Sequence, residues 1–305
     1  MLNTQSITIH LMIFKCSQAL PANLQGFNKQ MSEFTQKDMY PTDLIYGWLF
    51  KFTEKDSPYE HFEFLGYEGA NFVELSGSAI INIALGIVGS MFLHLVNYIC
   101  VKLYTSPRAR RVAVKIGRVG FSQTIITFYL QGFLELLICA SVSLGELTTE
   151  DFTAGNYSDL FAAIFVLFSS LSLIALPIYM ISILWVNFET LDSTETRETY
   201  GFIYTDLNVR TFYQATFHVV YLIRRSLFVF ILVYFESYNG VQLVLNTILT
   251  VVYIEYIMIA QPYDVAFANT WEVFNESCVI LVSYCLIILQ NVMLTPDERI
   301  NVGFL

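Results

Sequence analysis

Charged residues are scarce in this chain, and their scarcity excludes most soluble classes of protein. Only 14% of the 305 residues are Asp, Glu, Lys or Arg, whereas 55% are hydrophobic. That balance is typical of a polytopic membrane protein rather than of a soluble domain. The net charge of -10 also argues against nucleic acid as a partner.

Cysteine and histidine are scarce too, and they are scattered. None of the five cysteines belongs to a CxxC pair, and none of the four histidines pairs with a carboxylate at metal-ligand spacing. This excludes a disulfide framework or a zinc centre as the organising device. We therefore predict no metal site and no cofactor.

The sequence motifs of the common catalytic sites are missing as well. The chain has no GxxxxGK[ST], no GxSxG, no HExxH and no GxGxxG placed between a strand and a helix. It also has no potassium-filter sequence. No catalytic residue can be nominated, so the sequence favours a protein that is not an enzyme.

A strongly basic loop lies between the first two long apolar runs. It contains Arg108, Arg110, Arg111, Lys115 and Arg118. A short basic loop between two spans stays on the cytoplasmic side, so this loop orients every span before and after it. Read as a helix, four of the five share one face, which could bind anionic inner-leaflet lipids at about 1 kcal/mol per basic residue. The alternative is a solvated topology signal with no further role.

The apolar runs predict an all-α bundle of six membrane spans with both termini on the outer side. A span needs roughly 20 apolar residues. The predicted spans cover about residues 76–101, 121–145, 159–187, 215–236, 240–260 and 271–293, so the bundle occupies residues 76–294. At the start of the sixth span, Asn269 is predicted to be the N-cap, with Glu272 at the third helical position.

The segments around the bundle are predicted to lie outside the membrane. Residues 1–75 form an extracytoplasmic or interfacial region with an amphipathic helix over 22–34, and residues 295–305 form a short tail. The loop 146–158 has no Lys or Arg and carries the sequon Asn156-Tyr157-Ser158. We therefore expect Asn156 to be outside, where it is a candidate for glycosylation.

Polar residues recur at helical spacing within three of the predicted spans. They include Asn82 and His94 in the first span, Gln131 and Glu135 in the second, and Asn246 in the fifth. They form either a seam between packed helices or a polar pathway through the bundle. A carboxylate inside a membrane is costly, so Glu135 points to a function, and the alternative is a protonated carboxyl that serves only packing. We expect it to face the bundle, near the Ser78–Asn82 end of the first span and the Gln242–Asn246 end of the fifth.

Four ionisable residues are predicted to form a cluster inside the membrane. They are Arg224, Arg225, Glu255 and Glu276. Each Arg costs about 2.5–3.5 kcal/mol at the centre of a span, so the pair in span four must reach the interface or be neutralised. We expect the two carboxylates to neutralise it and to lock spans four, five and six together. The pair lacks the three-residue spacing of a voltage sensor.

Four stretches of the chain carry a resemblance to a known family. They are Phe62-Glu-Phe-Leu-Gly-Tyr-Glu-Gly-Ala-Asn-Phe-Val73, Tyr129-Leu-Gln-Gly-Phe-Leu-Glu-Leu-Leu137, Tyr221-Leu-Ile-Arg-Arg-Ser-Leu227 and Gln261-Pro-Tyr-Asp with Asn269, Glu272 and Phe274-Asn-Glu276. The chain resembles the C-terminal multi-pass membrane module of large ciliate-type protist surface proteins, and more distantly looks TRP-like. It departs from a TRP channel in the link between its last two spans, which is short and predicted inside.

Two classes of function follow from these observations. The first is a non-catalytic assembly or anchoring subunit of a membrane complex, and the alternative is a TRP-like ion channel or transport module. The expected partners are the lipid bilayer, anionic inner-leaflet lipids, and other membrane subunits or a second copy of the chain. The expected location is the plasma membrane or secretory pathway, with the mitochondrial inner membrane as the alternative.

Overall fold

The computed structural model describes most of the predicted bundle. The described residues are 71–103, 121–145, 147, 152, 157–193, 196–197, 200–204, 206–235 and 238–289. The predictions for the N-terminal 70 residues, the basic loop (Arg108, Arg110, Arg111, Lys115 and Arg118), Asn156 and the C-terminal tail lie outside them.

The described residues are helical throughout, apart from turns and one isolated antiparallel bridge between Leu207 and Tyr263. The long helices are α1 (Gly77–Leu103), α2 (Phe121–Gly145), α3 (Tyr157–Asn187), α4 (Phe217–Tyr234), α5 (Asn239–Ala260) and α6 (Ala266–Leu289). Two four-residue helices, Phe72–Leu75 and Phe212–Ala215, precede α1 and α4. The predicted all-α class is confirmed.

Within the described part of the chain, four segments are long and apolar enough to cross a membrane. They are Tyr157–Thr190, Phe217–Tyr234, Gly240–Ala260 and Ala266–Ile288, and so correspond to α3 through α6. The apolar stretches within α1 and α2 are shorter, Ile83–Val96 and Gly132–Gly145. The third to sixth predicted spans are thus present as helices that could span a bilayer, and the six-span count remains a prediction.

Helix α4 is the central helix of this bundle. It packs against α2, α3 and α5, and half of its apolar stretch is buried, against 28% for each of α3, α5 and α6. Its sequence explains the position, because Phe217, Leu222, Phe228 and Leu232 place large apolar side chains on its buried surface. The central helix also carries both arginines, which are therefore turned away from lipid.

The other helices pack against one another around α4. Helix α5 packs on α6, and α2 packs on both α1 and α3. The short helix Phe72–Leu75 contacts α1, α2 and α3, and the ring of Phe72 lies 5.7 Å from that of Phe165. Helix α3 continues through Pro177, as a helix in a bilayer can.

One end of the bundle is closed by irregular segments that we call the collar, residues 188–193, 200–204 and 206–210 with the link 261–265. Asn208 donates its backbone N–H to the Pro262 carbonyl at 2.7 Å, and Asp264 donates its backbone N–H to the backbone carbonyl of Asp206 at 3.3 Å. His218 Nδ1 donates to the Ile203 carbonyl at 2.7 Å. The ends of α3 and α5 and the starts of α4 and α6 therefore meet at the collar.

The start of α6 differs from the sequence prediction. The helix begins at Ala266, so Asn269 lies inside it and is not the N-cap. Its side chain instead donates to the Tyr263 carbonyl and accepts from the Tyr263 N–H, both at 3.0 Å. An Asx side chain satisfies nearby backbone groups in either setting, which is why the pattern resembled a cap.

Candidate functional site

The best-defined polar site is an ion pair between α4 and α6. Both terminal nitrogens of Arg224 donate to the two carboxylate oxygens of Glu276. The side chains are 5% and 1% exposed, so the pair is fully enclosed. A bidentate geometry of this kind joins the two helices with both a charge interaction and a fixed orientation.

The guanidinium of Arg224 has two further neighbours, both on α5. It lies 4.4 Å from the ring centroid of Tyr253, and its Nη2 donates to Thr250 Oγ1 at 3.4 Å. A cation over an aromatic face gains additional attraction when it is shielded from water. Arg224 therefore connects α4, α5 and α6 in one contact, as the sequence predicted for this group of helices.

Arg225 lies beside the pair but in a different environment. Its guanidinium lies 4.2 Å from the ring centroid of Tyr221, one turn earlier on α4. The side chain is buried, with the residue only 1% exposed. The two consecutive arginines lie about 100° apart around α4, and each is stacked on a different tyrosine.

Glu255 does not belong to the cluster, so that part of the prediction is wrong. Its side chain is exposed, whereas Tyr253 and Ile257 on the same helix are buried. Two residues correspond to about 200° around an α-helix, so Glu255 lies opposite both of them. It is five residues from the end of α5, about 7–8 Å, where a carboxylate can reach the membrane interface.

The buried face of α5 carries a row of polar side chains that we call the polar column: Gln242, Asn246, Thr250 and Tyr253. Asn246 Nδ2 donates to Ser283 Oγ on α6 at 3.4 Å, and Thr250 Oγ1 donates to the Asn246 carbonyl at 2.9 Å. Spacings of four, four and three residues keep the column on one side of the helix. That side faces α4 and α6.

Gln242 forms the end of the column that is farthest from the collar. Its Nε2 donates to the carbonyls of Ile231 and Leu232, at 3.3 and 2.9 Å. Both carbonyls belong to the last turn of α4, where backbone acceptors run short of intrahelical donors, although the Ile231 carbonyl also accepts the Phe235 N–H at 3.2 Å. A side chain of α5 therefore caps the end of α4.

The other predicted polar residues of α1 and α2 differ in how deeply they are buried. In α1, Ser90 is buried and His94 half-buried, and in α2, Glu135 is half-buried one turn before the buried Cys139. The side chains of Asn82 and Gln131 lie outside the described residues. Helix α2 packs on α1, α3 and α4, while the amides of α5 are engaged by α4 and α6. The expected contact between Glu135 and the Gln242–Asn246 end of α5 stays a prediction.

Three residues of the site were missed by sequence reasoning, although helical spacing could have revealed them. Tyr253 follows Thr250 by three residues, Glu272 precedes Glu276 by four, and Ser283 follows Glu276 by seven. Each interval returns to the same face of a helix. Aromatic and hydroxyl residues are common in membrane helices, so their presence alone did not single them out.

Length and hydropathy define the class of the protein, a helical integral membrane protein with a charged pair buried in its bundle. Beyond the class, no family model, curated protein or solved structure matches the chain. The resemblance to protist surface proteins and TRP-like proteins stays a prediction.

Proposed function

We propose that the protein is a non-catalytic assembly or anchoring subunit of a membrane complex. The observation that carries this proposal is the use of buried polar groups as inter-helix ties: Arg224 with Glu276, Gln242 with the end of α4, and Asn246 with Ser283. Such ties fix helices relative to one another. A bundle held in this way is a rigid support for neighbouring subunits.

Helix α1 provides the surface that suits a neighbouring subunit. It packs on α2 and on the short helix Phe72–Leu75, and the rest of its length exposes large apolar side chains. These are Leu85, Val88, Met91, Phe92, Leu95, Tyr98 and Ile99. Lipid covers such a face in a monomer, and another helix covers it in an assembly.

The assembly role is tested by the mass of the protein extracted in native lipid discs. We expect the chain, 34.9 kDa alone, to migrate as a discrete larger protein assembly. Phe92→Ala should shift the population toward the single chain. Phe168→Ala on α3 is the matched control, because the two rings are 63% and 66% exposed. A homogeneous single chain, or an equal shift in both variants, would contradict the role that we assign to α1.

A conduction or transport module is the second candidate, and one observation favours it. Buried polar atoms of Gln242 and Tyr253 in the polar column have no hydrogen-bond partner among the described residues. The link between α5 and α6 does not support a TRP-like pore. That link has only five residues between Ala260 and Ala266, which leaves no room for a pore helix.

A further inference from the structure

Three polar side-chain atoms at the interface of α4, α5 and α6 are buried without a hydrogen-bond partner in the described structure. They are the hydroxyls of Tyr221 and Tyr253 and the carbonyl oxygen Oε1 of Gln242. Gln242 and Tyr253 are 1% and 2% exposed. Buried polar groups are nearly always satisfied, so groups without a protein partner indicate bound water or an ion.

The two tyrosines interact electrostatically with a pair of carboxylates on α6. Glu272 and Glu276 are one turn apart on α6, with Glu272 half-buried and Glu276 buried. Arg224 and Arg225 interact electrostatically with Glu272, and Glu272 in turn interacts with Tyr221, Tyr253 and Tyr263. The charged and titratable groups that interact with the two carboxylates are therefore Tyr221, Arg224 and Arg225 on α4, Tyr253 on α5 and Tyr263 in the link 261–265. Two arginines and two glutamates give these groups a net charge of zero.

The polar groups extend through most of the bundle. From Glu272 to Ser283 the rise along α6 is about 16–17 Å, and Asn246, which contacts Ser283, is about 6 Å from Gln242 along α5. The total, about 22 Å, is most of a hydrocarbon core of about 30 Å. Gln242 is three residues from the start of α5, and Glu272 is six from the start of α6. The polar groups therefore approach both ends of the bundle.

We propose that α4, α5 and α6 enclose a water-lined proton path, with Glu272 as its entry at the collar and Gln242 at its other end. A proton fits this arrangement better than a larger cation. The described residues hold no group of three His, Cys, Asp or Glu side chains that could bind a metal ion. The fixed charges of Arg224 and Arg225 also oppose a cation that brings its charge to a single site, whereas carboxylates inside membranes serve as proton relays.

The transfer is a sequence of proton exchanges with no redox change. A hydronium ion at the collar gives its proton to the Glu272 carboxylate and leaves as water, and Glu272 passes the proton to a water bound at the Tyr253 hydroxyl. That water protonates Glu276, which loses its charge and its ion pair with Arg224, while the guanidinium keeps its place on the ring of Tyr253. Glu276 then gives the proton to water beside Thr250 and Asn246 and takes up Arg224 again. The proton leaves past Gln242, so each cycle moves one H⁺ and restores every group.

The path is tested in vesicles of neutral lipid that contain the full chain and a trapped pH-sensitive dye. A potassium diffusion potential drives proton entry. Tyr253→Phe is the main variant, because it removes a hydroxyl that has no hydrogen-bond partner among the described residues and keeps the ring under Arg224. Glu272→Gln removes the entry carboxylate. Glu255→Gln is the matched control, since it removes an exposed carboxylate on the other side of α5.

We expect proton entry well above that of protein-free vesicles, an approximately tenfold or greater loss in Tyr253→Phe and Glu272→Gln, and no loss in Glu255→Gln. Tyr253→Phe should elute from a sizing column like the parent protein, so its loss of flux cannot be a loss of fold. Parent flux equal to that of empty vesicles would overturn the proposal. Retention of flux in Tyr253→Phe, or an equal loss in Glu255→Gln, would overturn it as well. This inference goes beyond the assembly role, which is tested by mass and not by flux.

Discussion

At the scale of single residues, Arg224 and Glu276 stabilise the bundle only as a pair. Moving either charge alone out of water costs several kcal/mol, and the partner together with Thr250 and Tyr253 offsets this cost. Removing one member leaves the other buried without compensation. The structure therefore makes the two residues energetically coupled, unlike an ion pair at a surface.

The coupling can be measured by a double-mutant cycle in detergent. Glu276→Gln should lower the free energy of unfolding by about 3–5 kcal/mol, because Arg224 keeps its charge. Arg224→Gln in that background should restore part of the loss, and Glu255→Gln should change little. Additive effects of the two changes would show that the pair is not coupled. Stability can be followed by thermal unfolding, with the lipid-to-detergent ratio held constant.

The pairing of Arg224 was within reach of the sequence, and the exclusion of Glu255 required one further step along α5. The cost of two arginines in a span requires a carboxylate on a neighbouring helix, and only a few candidates exist. Choosing among them depends on the rotation of α5, which is set by the polar column from Gln242 to Tyr253. The column was visible as far as Thr250, and extending it by three residues to Tyr253 places Glu255 on the far side.

At the scale of elements, side-chain amides complete helices other than their own. Gln242 on α5 bonds to the last turn of α4. Gln214, in the short helix before α4, donates to the Ala260 carbonyl at the end of α5 at 2.9 Å. Water cannot satisfy these carbonyls where the helix end is covered, so a neighbour must supply the donor. The ends of α4 and α5 are therefore each tied to a neighbouring element.

The capping role of Gln242 predicts a local effect on α4. Gln242→Met keeps the length of the side chain and removes the donor. An inter-helix hydrogen bond in a membrane protein contributes about 0.6 kcal/mol on average and at most about 1.7, so exchange in the last turn of α4 should quicken about 3- to 18-fold. Hydrogen exchange followed by mass spectrometry measures this.

Val241→Met is the control for that measurement, because its side chain is exposed next to Gln242. Unchanged exchange in Gln242→Met would show that water already satisfies the end of α4. A faster exchange across the whole of α4 would instead indicate general destabilisation.

Helix existence was predictable from the sequence, and helix ends were less so. Long apolar runs leave a helix as the only way to satisfy the backbone inside a bilayer, so α3 to α6 appeared near their predicted places. The start of α6 moved five residues, from 271 to Ala266, because Asn269 bonds to the link from within the helix. The collar contacts, such as the bridge of Leu207 with Tyr263, depend on tertiary packing and leave no periodic signal.

At the scale of the whole molecule, the collar determines which ends of the helices lie together. The segment after α3 and the link between α5 and α6 bond to each other, so both lie at the same end of the bundle. Tyr204 also holds the collar together, because its hydroxyl donates to the Leu191 carbonyl at 3.0 Å. Burial raises the pKa of Tyr204, so the hydroxyl remains a neutral donor. Four helices that alternate in direction agree with α3 to α6 crossing in turn.

The number of spans and their orientation are tested together by accessibility labelling in intact cells. Single cysteines are introduced at Arg110, Asn156, Ser193 and Tyr238 in a chain that lacks its five native cysteines. The basic loop predicts a cytoplasmic position for Arg110, and the collar places Ser193 at the end of α3. In a six-span protein, an impermeant reagent labels Asn156→Cys and Tyr238→Cys, and labels Arg110→Cys and Ser193→Cys only after permeabilisation. The opposite labelling pattern would show that the protein lies in the membrane with the inverse orientation. Labelling of both Arg110→Cys and Asn156→Cys in intact cells would show that α2 does not cross, and would leave a four-span core of α3 to α6.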